Sequence, residues 1–316
     1  MSPKNRSATV SAPTPHAARH SPRIGIITNP HARSHAWHRS WGDPQVSERV
    51  TTSISEIPAA LEAVRGCEYL LVNGGDGTLG EIVTALAKTG EPLPVLVPTY
   101  GGTNNAVAKD VGAARRDAIV CILAGEQGRI IERQLLRVTC AGRERYGFIF
   151  ATGLVVRLTE EYYRGPGVGS AKAAWVVAKK FAQAVVPLER FRSFWKFEPN
   201  RVSIDNVPMM LPRGAQLSLV SALNQQILFF KPFPHSVEEI AGFNVLVNAL
   251  PVRAIAADMH RLSRGTYSGA GHVAKPASRY ELTGTQRYFL DGELYDCGEH
   301  DRLTITCGPR ARFLVI

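Results

Sequence analysis

Between residue 23 and about residue 137, short apolar runs alternate with stretches in which apolar residues recur every three or four positions. A short apolar run rich in β-branched residues and closed by turn formers predicts a buried strand. The three-to-four period predicts a helix with one face inward. By this rule "RIGIITNP" is a first strand stopped at Asn29-Pro30. "SEIPAALEAVRGC" is a helix, with Ser55 in position to cap it and Ile57, Leu61 and Val64 on one face. Tyr69 to Val72 forms the next strand, followed by a glycine turn and a helix carrying Ile82, Val83 and Leu86. "PVLVP" is a third strand, leading through "TYGGTNN" into a further helical stretch. Strands alternating with helices predict parallel βαβ units, whose ligands bind at the strand C-terminal ends.

Past about Arg137 the pattern changes. "LLRVTCAGRERYGFIFATG", "RVSIDNVPMML", "AQLSLVSAL", "GFNVLVNAL", "RYELTGTQRYFLDGELYD" and "DRLTITCGPRARFLVI" are strand-like runs separated by turn residues. They predict an antiparallel β-sandwich or barrel, interrupted by one helical region near 171–188. The expected organisation is a tail over 1–22, an α/β domain over 23–140 and a β-sandwich domain over 141–316. The tail is rich in Ser, Ala, Pro and basic residues, has no acid and lacks an apolar core of signal-peptide length, so it reads as disordered.

Composition narrows the partners. The 316 residues carry a formal charge of +10, which favours an acidic partner: nucleic acid, an anionic membrane surface or a phosphate-bearing substrate. No nucleic-acid-binding motif accompanies the charge, so nucleic acid is not expected. No uninterrupted apolar run reaches the roughly 18 residues of a spanning helix, leaving peripheral membrane contact. The five cysteines, Cys67, Cys121, Cys140, Cys297 and Cys307, are odd in number and far apart. Neither a zinc site nor a disulfide framework is expected from them, and a reducing, cytoplasmic setting follows.

Three stretches carry candidate chemistry. In "VNGGDGTLGE" the glycines allow backbone N–H groups to approach an anion, and the helix that follows adds a favourable field. Asp76 beside a phosphate makes sense with a bridging metal, or as acceptor of a proton from an attacking hydroxyl. The competing reading is a hairpin turn, since Asp-Gly is a strong hairpin signal, but "TLGEIVTALAK" is helical. "PTYGGTNNAVAKDVG" repeats the arrangement one βα unit later, matching neither the Walker A pattern nor the dinucleotide fingerprint. In "RYFLDGELYD" alternating residues flank Asp291-Gly292, and on this stretch alone Glu293 is a solvated neighbour of a hairpin turn.

Together, Asn29-Pro30 after the first strand, Gly74-Gly75-Asp76-Gly77-Thr78 with Glu81, Gly102-Thr103-x-Asn105, and the late Asp291-Gly292-Glu293 resemble the diacylglycerol kinase and sphingosine kinase superfamily of lipid kinases. The likeness runs over residues 23–316. Its G-G-D-G-T-x-x-E element is shared with NAD kinases and 6-phosphofructokinases. The resemblance implies a Rossmann-like α/β nucleotide domain, a β-sandwich lipid domain and an active site between them. It further implies that Asn29, Gly74, Gly75, Gly77, Thr78, Glu81, Gly102, Thr103 and Asn105 contact ATP. Asp76 and Glu293 would be catalytic, with Asp76 also a ligand of Mg2+. The acceptor would be a lipid hydroxyl: a diacylglycerol, a ceramide-like or a sphingoid lipid.

The chain departs from that family in four places. Asn29-Pro30-His31-Ala32-Arg33 replaces N-P-x-S-G, and Ala106 follows Asn105 where an aspartate is usual. Gly153-Leu154-Val155-Val156 has no carboxylate, and Ala241-Gly242-Phe243-Asn244-Val245 replaces the D-G-x-L-x-V strand. These changes keep open a soluble hydroxyl acceptor, such as NAD or a specialised metabolite, and a silent lipid- or nucleotide-binding regulator. His31, His35 and His38 read as anion contacts or solvated residues rather than metal ligands. Residues 171–197 mix Trp175, Phe181, Phe191, Phe194 and Trp195 with Lys172, Lys179, Lys180, Arg190, Arg192 and Lys196. That mixture suits either an interfacial helix on anionic lipid or an amphipathic helix covering the sandwich.

Overall fold

In the computed structural model the described residues are 22–32, 42–113, 118–126, 128–167, 169–184, 193–224, 230–298 and 300–316. The expected tail, His35 and His38, and the middle of the basic aromatic stretch at 185–192 lie outside them.

The first half builds a parallel sheet from β1 (Ile24–Thr28), β2 (Val46–Val50), β3 (Tyr69–Asn73) and β4 (Val95–Pro98), in the order β2-β1-β3-β4. All five residues of β1 are buried, as a strand covered on both faces requires. On one face lie α1 (Ile57–Ala63) and α2 (Asp76–Lys88), which turns Leu79, Ile82 and Val83 into the core at helical spacing. On the other face α4 (Ala118–Leu123) packs against Ile24, Ile26 and Leu71. A short helix, α3 (Ala106–Val111), follows β4.

The second half adds antiparallel strands. The hairpin of β5 (Arg129–Cys140) and β6 (Arg143–Gly147) turns at Ala141 and Gly142, both with positive φ. A six-stranded antiparallel sheet has the order β12-β11-β10-β7-β14-β15. Its members are β7 (Ile149–Gly153), β10 (Leu217–Ser221), β11 (Phe243–Asn248), β12 (His272–Ala277), β14 (Arg287–Leu290) and β15 (Glu293–Asp296). Opposite it stand β5, β8 (Arg201–Ile204), β9 (Val207–Pro208), β13 (Arg279–Thr283) and β16 (Leu303–Val315). Phe150, Tyr280, Phe243 and Leu136 fill the space between the two sheets. β16 pairs with β13 and β5, and Phe313 also pairs with Leu96 of β4. One layer of the sandwich and the parallel sheet therefore form one continuous hydrogen-bonded sheet, with the six-stranded sheet as a separate layer. The expected α/β plus antiparallel sandwich architecture is the one observed.

Four expectations need correction. The first helix begins at Ile57 with Glu56 as its N-cap, not at Ser55: residues 54–56 form a 3-10 turn, and Pro58 is tolerated only in a first helical turn. β2 is an unanticipated edge strand, since "VSERV" alternates with charged residues and has no apolar run. The sandwich half contains α5 (Leu154–Arg164), α7 (Val252–Ala257) and α8 (Met259–Leu262) besides the expected α6 (Ser170–Ala184). In α5 the β-branched pair Val155-Val156 reads as strand, but Gly153 at φ 63° turns the chain off β7. Finally, Cys140 and Cys297 form a disulfide across 157 positions of sequence. It joins the end of β5 to the residue after β15, a proximity that sheet packing creates and spacing does not reveal.

Candidate active site

The two glycine turns stand side by side at the C-terminal ends of β3 and β4. A Cβ on Gly75 would lie 2.9 Å from Gly102 Cα, and one on Gly101 would lie 2.7 Å from the Gly74 carbonyl oxygen. Glycine is needed at this contact because the two backbones touch. Asn105, in the left-handed region at φ 51°, closes the second turn: its Oδ1 accepts the Gly102 N–H at 2.6 Å and its Nδ2 donates to the Gly102 carbonyl at 2.9 Å. Asn29 donates to Thr78 Oγ1 at 3.0 Å and accepts the His31 N–H, tying the loop after β1 to the first turn of α2. Thr103 stays exposed.

Asp76 is the first residue of α2. Its carboxylate bridges the two turns by accepting the N–H groups of Ala106 at 3.0 Å and Val107 at 3.2 Å, the first residues of α3. Burial pushes its carboxyl above the ordinary range, opposed by those amides and by Lys109.

The late hairpin arrives from the other half of the chain. Asp291 and Gly292, at φ 49° and 105°, make the turn between β14 and β15, so the hairpin reading of this stretch is correct. The turn nevertheless points a side chain inward. Asp291 is 4% exposed and accepts the N–H groups of Phe148 and Ile149. Burial pushes it up to about 8, against the pull of those amides, and the charge of Asp76 adds to the rise. Glu293 lies over the first turn of α2, where a Cβ on Gly77 would come within 2.8 Å of its Oε1. Its side chain is exposed, and the partial desolvation it meets there raises its carboxyl, with the charge of Glu81 contributing. Asp76, Asp291 and Glu293 are thereby gathered at the N-terminus of one helix from opposite ends of the sequence.

Glu81 is placed differently from the other predicted contacts. One turn further along α2, it accepts hydrogen bonds from Tyr295 Oη at 2.6 Å and from Arg145 at 3.1 Å, and the Arg145 guanidinium lies 3.9 Å from the centre of the Tyr295 ring. Asp291, Arg145 and Tyr295 escaped the sequence reading as site residues. The visible signal for Asp291 was an aspartate in an Asp-Gly turn directly after the run Tyr288-Phe289-Leu290.

A cavity of about 320 Å³ opens from the acids into the sandwich half. Asp76, Thr103, Asn104 and Asp291 line one end, and Asn248 and His272 the other. Between them the walls are hydrocarbon and aromatic, contributed by α5, α6, α7, α8 and the six-stranded sheet, with Leu158, Val176, Phe181, Leu219, Leu246 and Phe289 among them. The arrangement can hold an apolar molecule with one polar group presented to buried carboxylates. Those carboxylates are hard oxygen donors whose ionised forms are disfavoured by burial and by one another, and a divalent cation such as Mg2+ relieves both. Asp76 and Asp291 fit such an ion.

Residues 22–138 match the family model described as the diacylglycerol kinase catalytic domain. Among solved structures, the chain resembles a candidate diacylglycerol kinase from Bacillus anthracis str. Sterne at 14% identity and a TM-score of 0.68, covering 93% of this chain and 97% of that one. It also resembles a diacylglycerol kinase from the same strain at 16% identity and a TM-score of 0.63, over the same shares of the two chains. At these identities the structures establish a shared fold. No curated protein matches the chain. The stretch that matches the diacylglycerol kinase catalytic domain, residues 22–138, contains both glycine turns and Asp76.

Proposed function

We propose that the chain is an ATP-dependent lipid kinase, transferring the γ-phosphoryl group of ATP to the hydroxyl of a lipid alcohol. The acceptor class is a diacylglycerol, a ceramide-like or a sphingoid lipid. The observation that carries this reading is the cavity. Its walls are apolar almost throughout, and its polar end is formed by the carboxylates that stand beside the glycine turns. A soluble, multiply charged acceptor such as NAD would leave its polar groups unpaired against those walls.

In this reading the hydrocarbon tail occupies the cavity and its hydroxyl meets Asp76 and Asp291. ATP lies on the two turns, with its phosphates toward the N-terminus of α2 and toward Thr78, Thr103 and the exposed N–H groups. Asp76 and Asp291 would hold Mg2+, which would supply charge neutralisation of the phosphates. Asp76 takes the hydroxyl proton as the new O–P bond forms and the bond from the γ-phosphorus to the bridging oxygen breaks, releasing ADP. Glu293 adds a third acid over the same helix turn.

Labelled ATP with Mg2+ and a panel of lipid alcohols tests this directly. One or more of them should become phosphorylated, and failure with every lipid removes the substrate class. Asp76→Asn should lower turnover by about 10²–10⁴-fold, the usual contribution of a general base, while ATP binding stays measurable. Near-normal turnover in that variant would exclude Asp76 from proton transfer.

A further inference from the structure

Helix α6 carries apolar residues on both its inner and its outer face. Its inner face, with Ala173, Val176, Val177 and Phe181, lines the cavity. Its outer face presents Ala171, Ala174, Trp175, Ala178 and Lys179, all exposed. Trp175 is 60% exposed, and the Lys179 ammonium lies 4.8 Å from the centre of a Trp175 ring. A solvent-facing helix surface ordinarily carries charges of both signs, whereas a helix apolar all round has something covering it. This one contains no acid in its 15 residues.

The charges say what the cover is. Of the three lysines, Lys172 donates to the carbonyls of Gly165 and Gly167 and Lys180 pairs with Glu161. Lys179 faces outward beside the tryptophan. An aromatic ring with a polar N–H, a long-stemmed cation and small alanines suit the headgroup boundary of a bilayer. There the ring and the lysine stem sit in the acyl border while the ammonium reaches anionic phosphates. A chain of net charge +10 is drawn to the same surface.

We propose that the outer face of α6 docks in the surface of an anionic bilayer, which sets the wall of the cavity at the depth of the lipid headgroups. The docking stands on the face itself; that it delivers substrate rests on the lipid kinase reading.

Flotation with phosphatidylcholine vesicles, with and without phosphatidylglycerol, tests the docking. The protein should float with the anionic vesicles and be released by salt. Trp175→Glu and Lys179→Glu should each lower the bound fraction, the former by about tenfold, equivalent to about 1.4 kcal/mol. Their circular dichroism and melting temperatures should match the parent, since both side chains are exposed. Absence of flotation by the parent, or equal flotation by both variants, overturns the proposal. So does a parent dimer, stable without vesicles, that Trp175→Glu dissociates, for then a second copy is the cover. Turnover of a short-chain, water-soluble lipid should be unchanged in Trp175→Glu. If the parent floats but phosphorylates no lipid, the kinase reading fails and the docking stands.

Discussion

Asp291 occupies the left-handed region at φ 49°, a conformation that short polar side chains tolerate better than others do, and its carboxyl reaches back to the backbone of β7. The same residue thus completes a tight turn and places an acid against Asp76. Its proton affinity has a measurable consequence. Unfolded, an aspartate titrates near 3.9, whereas in the fold Asp291 is pushed up to about 8. The folded state therefore holds a proton that the unfolded state has released. Stability associated with that proton is complete below about pH 4 and is lost as pH rises toward 8. Asp291→Asn, neutral at every pH, should melt higher than the parent at pH 8 in the presence of a chelator, and the difference should shrink toward pH 4. Thermal melts across that range check it, and a pH-independent difference would show that the acid ionises in the fold without penalty. The residue scale is also where the sequence was most informative and most misleading. Asp76 and Glu293 lie at one helix turn although far apart in sequence. The glycines, read as room for phosphate, are also required where the two turns touch, a contact between segments that no linear pattern displays.

At the scale of elements, β15 carries Glu293 and is fastened to α2 through Tyr295, Glu81 and Arg145. This makes Glu81 a positioning residue for Glu293 in geometry, whereas the motif assigned it to ATP. The two roles separate kinetically. Removing the Tyr295 hydroxyl or neutralising Glu81 loses a hydrogen bond to a charged group, a loss of about 1.5–3 kcal/mol. If that loss falls on the setting of Glu293, Tyr295→Phe and Glu81→Gln should both lower kcat by about 10- to 100-fold and leave KM for ATP in place. A raised KM for ATP in Glu81→Gln with normal kcat would return Glu81 to the nucleotide. Elements with a clear period, such as α2 and the buried strands β1 and β3, were legible from the sequence. The edge strand β2 and helix α5 were not, because β2 has too few apolar residues and α5 opens with β-branched ones. Position in the sheet and the break at Gly153 decide those cases, and both are properties of the assembled fold.

At the scale of the whole molecule, the Cys140–Cys297 bridge closes a loop of 157 positions between the two faces of the sandwich. Both sulfurs are buried, and the second belongs to the residue directly after the strand of Glu293. Loss of a native disulfide typically costs about 2–5 kcal/mol, so Cys140→Ser should lower the melting temperature by several degrees, as should a reductant acting on the parent. Identical melts with and without reductant would show that the bridge carries no stability. Residue spacing reveals neither this pairing nor the course of β16 through both halves. β16 pairs with β5 over most of its length and touches β4 at Phe313, so the parallel sheet keeps an open edge until residues 303–315 are in place. The parallel-sheet half is thus synthesised before the sandwich half yet closed by a strand that follows it. Throughout synthesis its bare strand edge waits for the final residues, and in that interval the chain depends on chaperones or on speed to avoid pairing with a neighbour.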